Sequence, residues 1–134
     1  MHESMPPGDR RRIARAVSAV ENRSDGYQSL LEQAYRLPRW ADVTGITGPP
    51  GVGKSTLLDA LTAHWAADGA RIAILAIDPS SPYSGGAVLG DRIRMQSHFL
   101  DEQVFIRSLS TRGSHGGLAR ATRKMALLLD AFGK

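Results

Sequence analysis

One short stretch of the sequence combines the residue types that hold a phosphate chain. Glycines let the backbone curve so that successive N–H groups point at one phosphate. A helix directly after such a loop adds free N–H donors and the positive end of its dipole. The stretch fits G-x-x-x-x-G-K-[ST], the pattern of a phosphate-binding loop, and its residues are Gly48, Pro49, Pro50, Gly51, Val52, Gly53, Lys54, Ser55 and Thr56.

Two side chains in this stretch predict triphosphate chemistry. Lys54 carries a full positive charge that can reach the β- and γ-phosphates, and the hydroxyl of Ser55 is placed to bind Mg²⁺. The alternative is a glycine-rich turn that holds Lys and Ser by chance. The context favours the site, because an apolar stretch at 43–46 precedes the loop and a helical pattern follows it. In that helix, one face carries Leu57, Leu61 and Trp65, with Leu58 beside them.

A carboxylate follows the next apolar segment. Residues 70–77 are apolar apart from Arg71, as expected of a parallel strand that is covered on both faces. The segment ends at Asp78, and ligands of open α/β sheets bind at the carboxyl ends of the strands. We therefore expect Asp78 on the side of the phosphate-binding loop; the alternative is a cap of a turn or helix.

The remaining periodicity predicts further helices and one more strand. Helices are expected over residues 9–21, where Asp9 would be the cap, over 27–36 and over 118–132, and a strand over 104–108. Residues 79–90 and 110–117 have the composition of loops, with a short helical stretch after Asp91. The positions expected to face the core are Ile13, Val17, Val20, Tyr27, Leu30, Leu31, Ala34, Ala121, Met125, Leu128, Leu129 and Phe132.

These elements together predict a fragment of a three-layer α/β domain. Its strands, mainly parallel, would lie near 42–47, 71–77 and 103–108, with the two N-terminal helices packed on its flank. The predicted division is a flexible tail at 1–8, a helical segment at 9–38 and the nucleotide-binding part at 39–134.

The composition excludes several classes of protein. The chain has 134 residues, 42% hydrophobic and 22% charged, which is typical of a folded domain. It has no cysteine and no apolar run long enough to cross a membrane, and a cytoplasmic location fits both observations. The net charge is +4, but the arginines are scattered, so nucleic-acid binding is not expected. Three histidines, His64, His98 and His115, show no metal-ligand spacing; His64 is expected on a helix surface and none of them receives a role.

Several motifs together resemble the MeaB/ArgK-like GTPases, the G-protein chaperones of methylmalonyl-CoA mutase. Beyond the phosphate-binding loop, the resemblance extends over nearly the whole chain from Gly8. The segments that carry it are Gly8-Asp9-Arg10-Arg11, Ala14-Arg15-Ala16, Gly45-Ile46-Thr47-Gly48, Ala76-Ile77-Asp78-Pro79-Ser80-Ser81, Gly85-Gly86, Leu89-Gly90-Asp91, Arg94-Met95 and Gly116-Gly117-Leu118-Ala119-Arg120.

The resemblance implies a P-loop NTPase fold and a set of ligands. Members of the family bind GTP or GDP with Mg²⁺, hydrolyse GTP slowly, load and protect the adenosylcobalamin-dependent mutase, and form homodimers. Carried over by motif, Gly48 to Ser55 would hold the phosphates. Asp78 and Asp91 would join Ser55 around Mg²⁺, and Lys54 and Asp91 would serve catalysis.

The resemblance also implies motifs that do not occur in this sequence. The family continues into a Glu-Thr-Val-Gly type switch motif, an Asn-Lys-x-Asp type guanine-reading motif and a dimerisation arm, none of which is found up to Lys134. We therefore expect the chain to be the N-terminal part of a longer protein or a truncated gene product. Three alternatives remain: a P-loop ATPase or kinase of a small molecule, a metallochaperone GTPase, and a non-catalytic remnant.

Overall fold

The computed structural model describes residues 10–39, 41–78, 98, 100–110 and 115–134. For residues 78, 110 and 115–119, the description covers the backbone and not the side chain. The chain separates into two compact units, one of Met1–Asp42 with Ser114–Lys134 and the other of Val43–Gly113. The described elements, in chain order, are the helices α1 (Arg10–Asn22), α2 (Tyr27–Arg36) and α3 (Lys54–Ala67), the strands β1 (Ile72–Asp78) and β2 (Val104–Ser110), and the helix α4 (His115–Ala131).

The first unit is a cluster of three helices, in which α1, α2 and α4 all contact one another. The apolar positions predicted for α1 are all buried, which confirms its inward face. A loop also joins the cluster, because the backbone N–H of Ala41 donates to Oδ1 of Asp130 at 3.1 Å. The buried apolar residues of this unit are Ile13, Ala16, Val17, Val20, Ala34, Met125, Leu128, Leu129, Ala131 and Phe132.

Helix α4 begins earlier than the sequence predicts. It starts at His115, so that Gly116 and Gly117 lie in its first turn and not in a loop. The two glycines are poor helix formers, which is why the pattern favoured a start at Leu118. The first helical turn tolerates them because its N–H groups have no partner within the helix in any case. The predicted core positions from Met125 onward are confirmed as buried.

The second unit contains the predicted parallel pair. Strands β1 and β2 run parallel in a continuous register from the pair Ile72 and Val104 to the pair Asp78 and Ser110. The expected strands near 71–77 and 103–108 are therefore confirmed, with β2 two residues longer at its end. Parallel pairing needs a long crossover connection, which confirms the α/β class and excludes a hairpin meander.

The strand expected near 42–47 is not formed. Residues 41–49 have no strand pairing among the described residues, and the side chain of Val43 is 79% exposed. A strand exists only through hydrogen bonds with a neighbour, and the described sheet consists of β1 and β2 alone. An apolar, β-branched sequence favours extended backbone here but supplies no partner.

Helix α3 packs on the sheet through a different face from the one the sequence suggested. The inward residues are Leu58, Thr62 and Ala66, and Leu58 and Ala66 pack against the core pair of Ile74 and Val104. The Thr62 hydroxyl is fully buried and donates to the carbonyl of Leu58 at 2.7 Å, so it enters the apolar face without a lost hydrogen bond.

The face with Leu57, Leu61 and Trp65 is the more exposed one: Leu57 is 52% and Trp65 36% exposed, while Leu61 is half-buried. The residues of each face, 57, 61 and 65 on one and 58, 62 and 66 on the other, repeat every four positions. The spacing therefore fits burial of either face equally well.

A glycine ends α3 and turns the chain into β1. Gly69 has φ +81°, and its N–H donates to the carbonyl of Ala66 while that of Ala70 donates to the carbonyl of Trp65. This pair of bonds is the Schellman motif, which satisfies the last carbonyls of the helix. The left-handed residue has open space around it, so backbone strain alone decides what can replace it.

Replacing Gly69 by Ala is expected to lower the free energy of unfolding by about 1 kcal/mol, because a Cβ is unfavourable in left-handed backbone. Urea titration followed by circular dichroism measures it. Gly45→Ala is the matched control, since Gly45 also has open space but no left-handed φ. Equal stabilities for the two variants would contradict this account.

Candidate functional site

The glycine-rich loop has the backbone conformation that a phosphate cradle requires. Gly51 and Gly53 have φ of +78° and +93°, in the left-handed region that glycine adopts at no steric cost. At Gly48 the limit is space, because an added Cβ would lie 3.3 Å from Cγ2 of Val52 and 3.7 Å from Cδ of Lys54. A side chain at Gly48 would therefore press against other side chains of the loop, and the φ of +155° at this residue disfavours one as well.

The start of α3 presents backbone donors without a competing side chain. The N-cap is Gly53, which makes no side-chain cap, and the first bond within the helix runs from the N–H of Leu57 to the carbonyl of Gly53 at 2.9 Å. The N–H groups of Lys54, Ser55 and Thr56 come before that bond. A helix start of this kind favours an anion through both its donors and its dipole.

The ammonium of Lys54 is held over the loop. Its Nζ donates to the carbonyl of Gly48 at 2.6 Å and to that of Pro49 at 2.8 Å. Ammonium–carbonyl bonds of this length are charge-assisted, so they also stabilise the curvature of the loop. The positive charge lies beside the same concave backbone that carries the free N–H donors. The arrangement fits a polyphosphate, which needs both.

The lengths of α3 and β1 bear on where the end of β1 is expected relative to the loop. Helix α3 has 14 residues and β1 has 7, so they span about 21 Å and about 23 Å. Since the chain reverses at the short turn at Gly69, these lengths predict that the backbone of Asp78 lies near the level of Lys54. The position agrees with the general location of ligands at the carboxyl ends of parallel strands.

The remaining predicted residues are placed as follows. Ser55 is half-buried in the first turn of α3, and Thr56 beside it is exposed. Pro49, Pro50 and Val52 are exposed. Asp91 lies outside the described residues. Of the predicted Mg²⁺ ligands, Ser55 is thus the one whose side chain the structure describes.

One contact near the loop was not predicted from the sequence. Nε2 of His98 lies 2.8 Å from Oδ1 of Asp59, which stands on α3 one turn after Ser55. His98, for which no role is predicted, is buried, and His64 is exposed as predicted. The partners of His98 are 39 residues apart, so no local spacing could have indicated the pair.

A glycine-rich loop at a helix start, followed by a strand in a parallel pair, defines an α/β protein of the P-loop NTPase class. Comparison with protein families matches residues 13–134 to the family described as methylmalonyl Co-A mutase-associated GTPase MeaB. The chain belongs to this family, which confirms the resemblance stated from the motifs.

The similar proteins include two that are named as GTPases. A protein of Pyrococcus abyssi, provisionally named as a GTPase, is 52% identical over 98% of this chain and 40% of its own length. The GTPase ArgK of Escherichia coli is 38% identical over 94% of this chain and 39% of its own length.

A third similar protein combines such a region with an enzyme. The fused isobutyryl-CoA mutase of Geobacillus kaustophilus is 38% identical over 98% of this chain and 13% of its own length. The chain thus spans about 40% of the first two relatives and a small share of the third. No described helix is both long and apolar enough to cross a membrane.

Lys54→Ala is expected to weaken GDP and GTP binding at least a hundredfold, because backbone donors cannot replace a full charge beside the phosphates. Titration with a fluorescent GDP analogue measures the affinity. Lys124→Ala, which removes an exposed lysine of α4, is the control and should bind like the unaltered chain. Equal affinities for the two variants would refute the assignment of the loop.

Proposed function

We propose that this chain is the phosphate-binding part of a GTP-binding and GTP-hydrolysing chaperone for an adenosylcobalamin-dependent acyl-CoA mutase. The observation that carries the proposal is the N-terminus of α3, where Gly53 makes no side-chain cap and the Lys54 ammonium is bound to the carbonyl of Gly48 in the same loop. Membership of the MeaB family supports GTP as the nucleotide.

Mg²⁺ belongs to the same proposal. The hydroxyl of Ser55 would be its ligand from α3, and the carboxylates of Asp78 and Asp91 would hold the ion or its waters. An ion that is bound mainly by phosphate oxygens needs few protein ligands, so one hydroxyl and one or two carboxylates suffice. When bound, it supplies charge neutralisation at the phosphates. Lys54 and Asp91 would then act on the γ-phosphate side, with Lys54 stabilising the charge that develops there.

The mutase partner is supported by a relative. In the fused isobutyryl-CoA mutase, a region similar to this chain lies in the same polypeptide as a mutase. The family description names methylmalonyl-CoA mutase, so the partner of this chain would be an enzyme of that type, methylmalonyl-CoA mutase in the first place. Homodimerisation and a cytoplasmic location complete the proposal.

Asp78→Ala and Asp91→Ala are expected to lower Mg²⁺-dependent GTP hydrolysis by at least tenfold, and to change Mg²⁺-free GDP binding by less than twofold. Carboxylates that hold the ion matter only while the ion is bound. Phosphate release at limiting Mg²⁺, in a full-length relative with the equivalent substitutions, measures the effect. Asp68→Ala, at an exposed carboxylate, is the control. If either variant kept unaltered turnover, the aspartate it replaces would be excluded as a Mg²⁺ ligand.

The chain alone is expected to bind GTP and ATP with less than tenfold preference and to hydrolyse both poorly. Its described residues bind phosphates, which the two nucleotides share, and the resemblance places the guanine-reading motif after Lys134. Paired titrations and turnover assays of residues 1–134 check this. Tight GTP binding with tenfold or greater discrimination would contradict it. In a full-length relative, preference for ATP over GTP would favour the ATPase or kinase alternative.

The chaperone role needs a separate test with the mutase. GTP-dependent association of the full-length protein with adenosylcobalamin-dependent methylmalonyl-CoA mutase is expected, and GDP should weaken it. Size-exclusion chromatography with either nucleotide, and with Lys54→Ala as control, measures this. Absence of association under all conditions would exclude the mutase as partner and leave the GTPase assignment intact.

A further inference from the structure

The Asp59–His98 contact joins the helix of the phosphate site to the start of β2. The side chain of His98 is 11% exposed and that of Asp59 is 47% exposed, so the bond reaches from a buried imidazole to a half-buried carboxylate. A buried polar group without a partner is destabilising, and a bond to a carboxylate is the stronger kind of hydrogen bond. The imidazole is therefore held in one place by its bond to α3.

His98 is also tied to β2 through the backbone. Its carbonyl accepts from the N–H of Asp101 at 3.2 Å, and the carbonyl of Asp101 accepts from the N–H of Val104 at 3.1 Å. Val104 is the first residue of β2 and is fully buried. A continuous series of hydrogen bonds thus runs from α3 to the strand.

The Asp59–His98 hydrogen bond complements a small apolar contact between α3 and the sheet. Leu58, the neighbour of Asp59, packs against the core pair of Ile74 and Val104. Two successive residues of α3 therefore reach the same strand, one by burial and one by hydrogen bonding. The outer row of α3, with Leu57 and Trp65, is exposed and adds little to its placement among the described residues.

The Asp59–His98 hydrogen bond lies close in sequence to the backbone N–H groups at the start of α3. Asp59 follows Ser55 by one helical turn and Leu57, which makes the first bond within the helix, by two residues. A small tilt of this turn displaces the N–H groups of Lys54 to Thr56, and such displacements lower affinity steeply.

We propose that Asp59 and His98 form a positioning pair that fixes the first turns of α3 for phosphate binding. The inference rests on the proposed function, because it concerns the affinity of the same loop for nucleotide. The pair acts through α3 and makes no contact with the nucleotide itself.

The test is a double-mutant cycle of Asp59→Ala and His98→Leu in the chain, read as affinity for a fluorescent GDP analogue. Each single variant is expected to weaken binding about fivefold to tenfold, which corresponds to the net contribution of one typical hydrogen bond. The double variant should bind no more weakly than the weaker single variant, because both remove the same bond.

The chain offers a matched control in a second His–Asp pair on α3. Nε2 of His64 lies 3.8 Å from Oδ2 of Asp68, and both side chains are 71% exposed. Asp68→Ala and His64→Leu are expected to leave the affinity within twofold of the unaltered chain, because an exposed pair at the far end of the helix contributes little.

His98→Gln separates positioning from simple packing. The glutamine amide nitrogen can take the place of Nε2, so the GDP affinity of His98→Gln is expected within twofold of that of the unaltered chain, while His98→Leu is expected to bind about fivefold to tenfold more weakly. Thermal unfolding is measured alongside. If His98→Gln weakened GDP binding as much as His98→Leu does, the proposal of a positioning pair would be overturned.

Unchanged affinity in Asp59→Ala would also overturn it, and this half-exposed position gives an answer even if His98→Leu does not fold. Failure of the unaltered chain to bind GDP would overturn the proposed function and this inference together. Binding by the unaltered chain, with no effect of the substitutions, would overturn the inference alone.

Discussion

The packing of Leu58 against Ile74 and Val104 is the contact on which the geometry of the phosphate site depends. This contact fixes α3 on the parallel pair of strands. Because the glycine-rich loop runs directly into α3, the contact also fixes the position of the loop. Fully burying a leucine side chain contributes about 2 kcal/mol, and the half-buried Leu58 contributes a part of that. Because the helix has few such anchors among the described residues, each one has a large effect on its direction.

The loop supplies acceptors of its own for the Lys54 ammonium. Free N–H donors and a lysine ammonium in a small space repel one another unless something negative lies between them. Here the carbonyls of Gly48 and Pro49 accept from Lys54. A phosphate oxygen would compete for the same ammonium, so binding exchanges one set of charge-assisted bonds for another. The affinity then reflects the difference between the two sets and not the full strength of either.

The sequence predicts the parts of this structure that depend on local patterns. The apolar run ending at Asp78 predicts β1, the spacing of Ile13, Val17 and Val20 predicts α1, and the glycines of the loop predict its left-handed turns. Family membership, too, follows from short motifs and is confirmed by the comparisons.

Other features depend on partners that are distant in the sequence. Whether residues 43–46 pair as a strand depends on a neighbour, which no property of Val43 or Ile46 determines. Which row of α3 is buried depends on what the sheet offers, and a threonine in the buried row hides the pattern. The His98 contact needs a partner 39 residues away and has no spacing rule at all.

The parallel register of β1 and β2 determines when the site can assemble during folding. Asp59 and His98 close a loop of 39 residues, which costs about 3 kcal/mol of chain entropy beyond a constant. Helix α3 can form from local contacts, but Val104 reaches it only after that closure. The phosphate donors are therefore ordered late, together with the slowest contacts of the unit. A nucleotide bound at this loop would consequently stabilise only chains in which β2 is already in place.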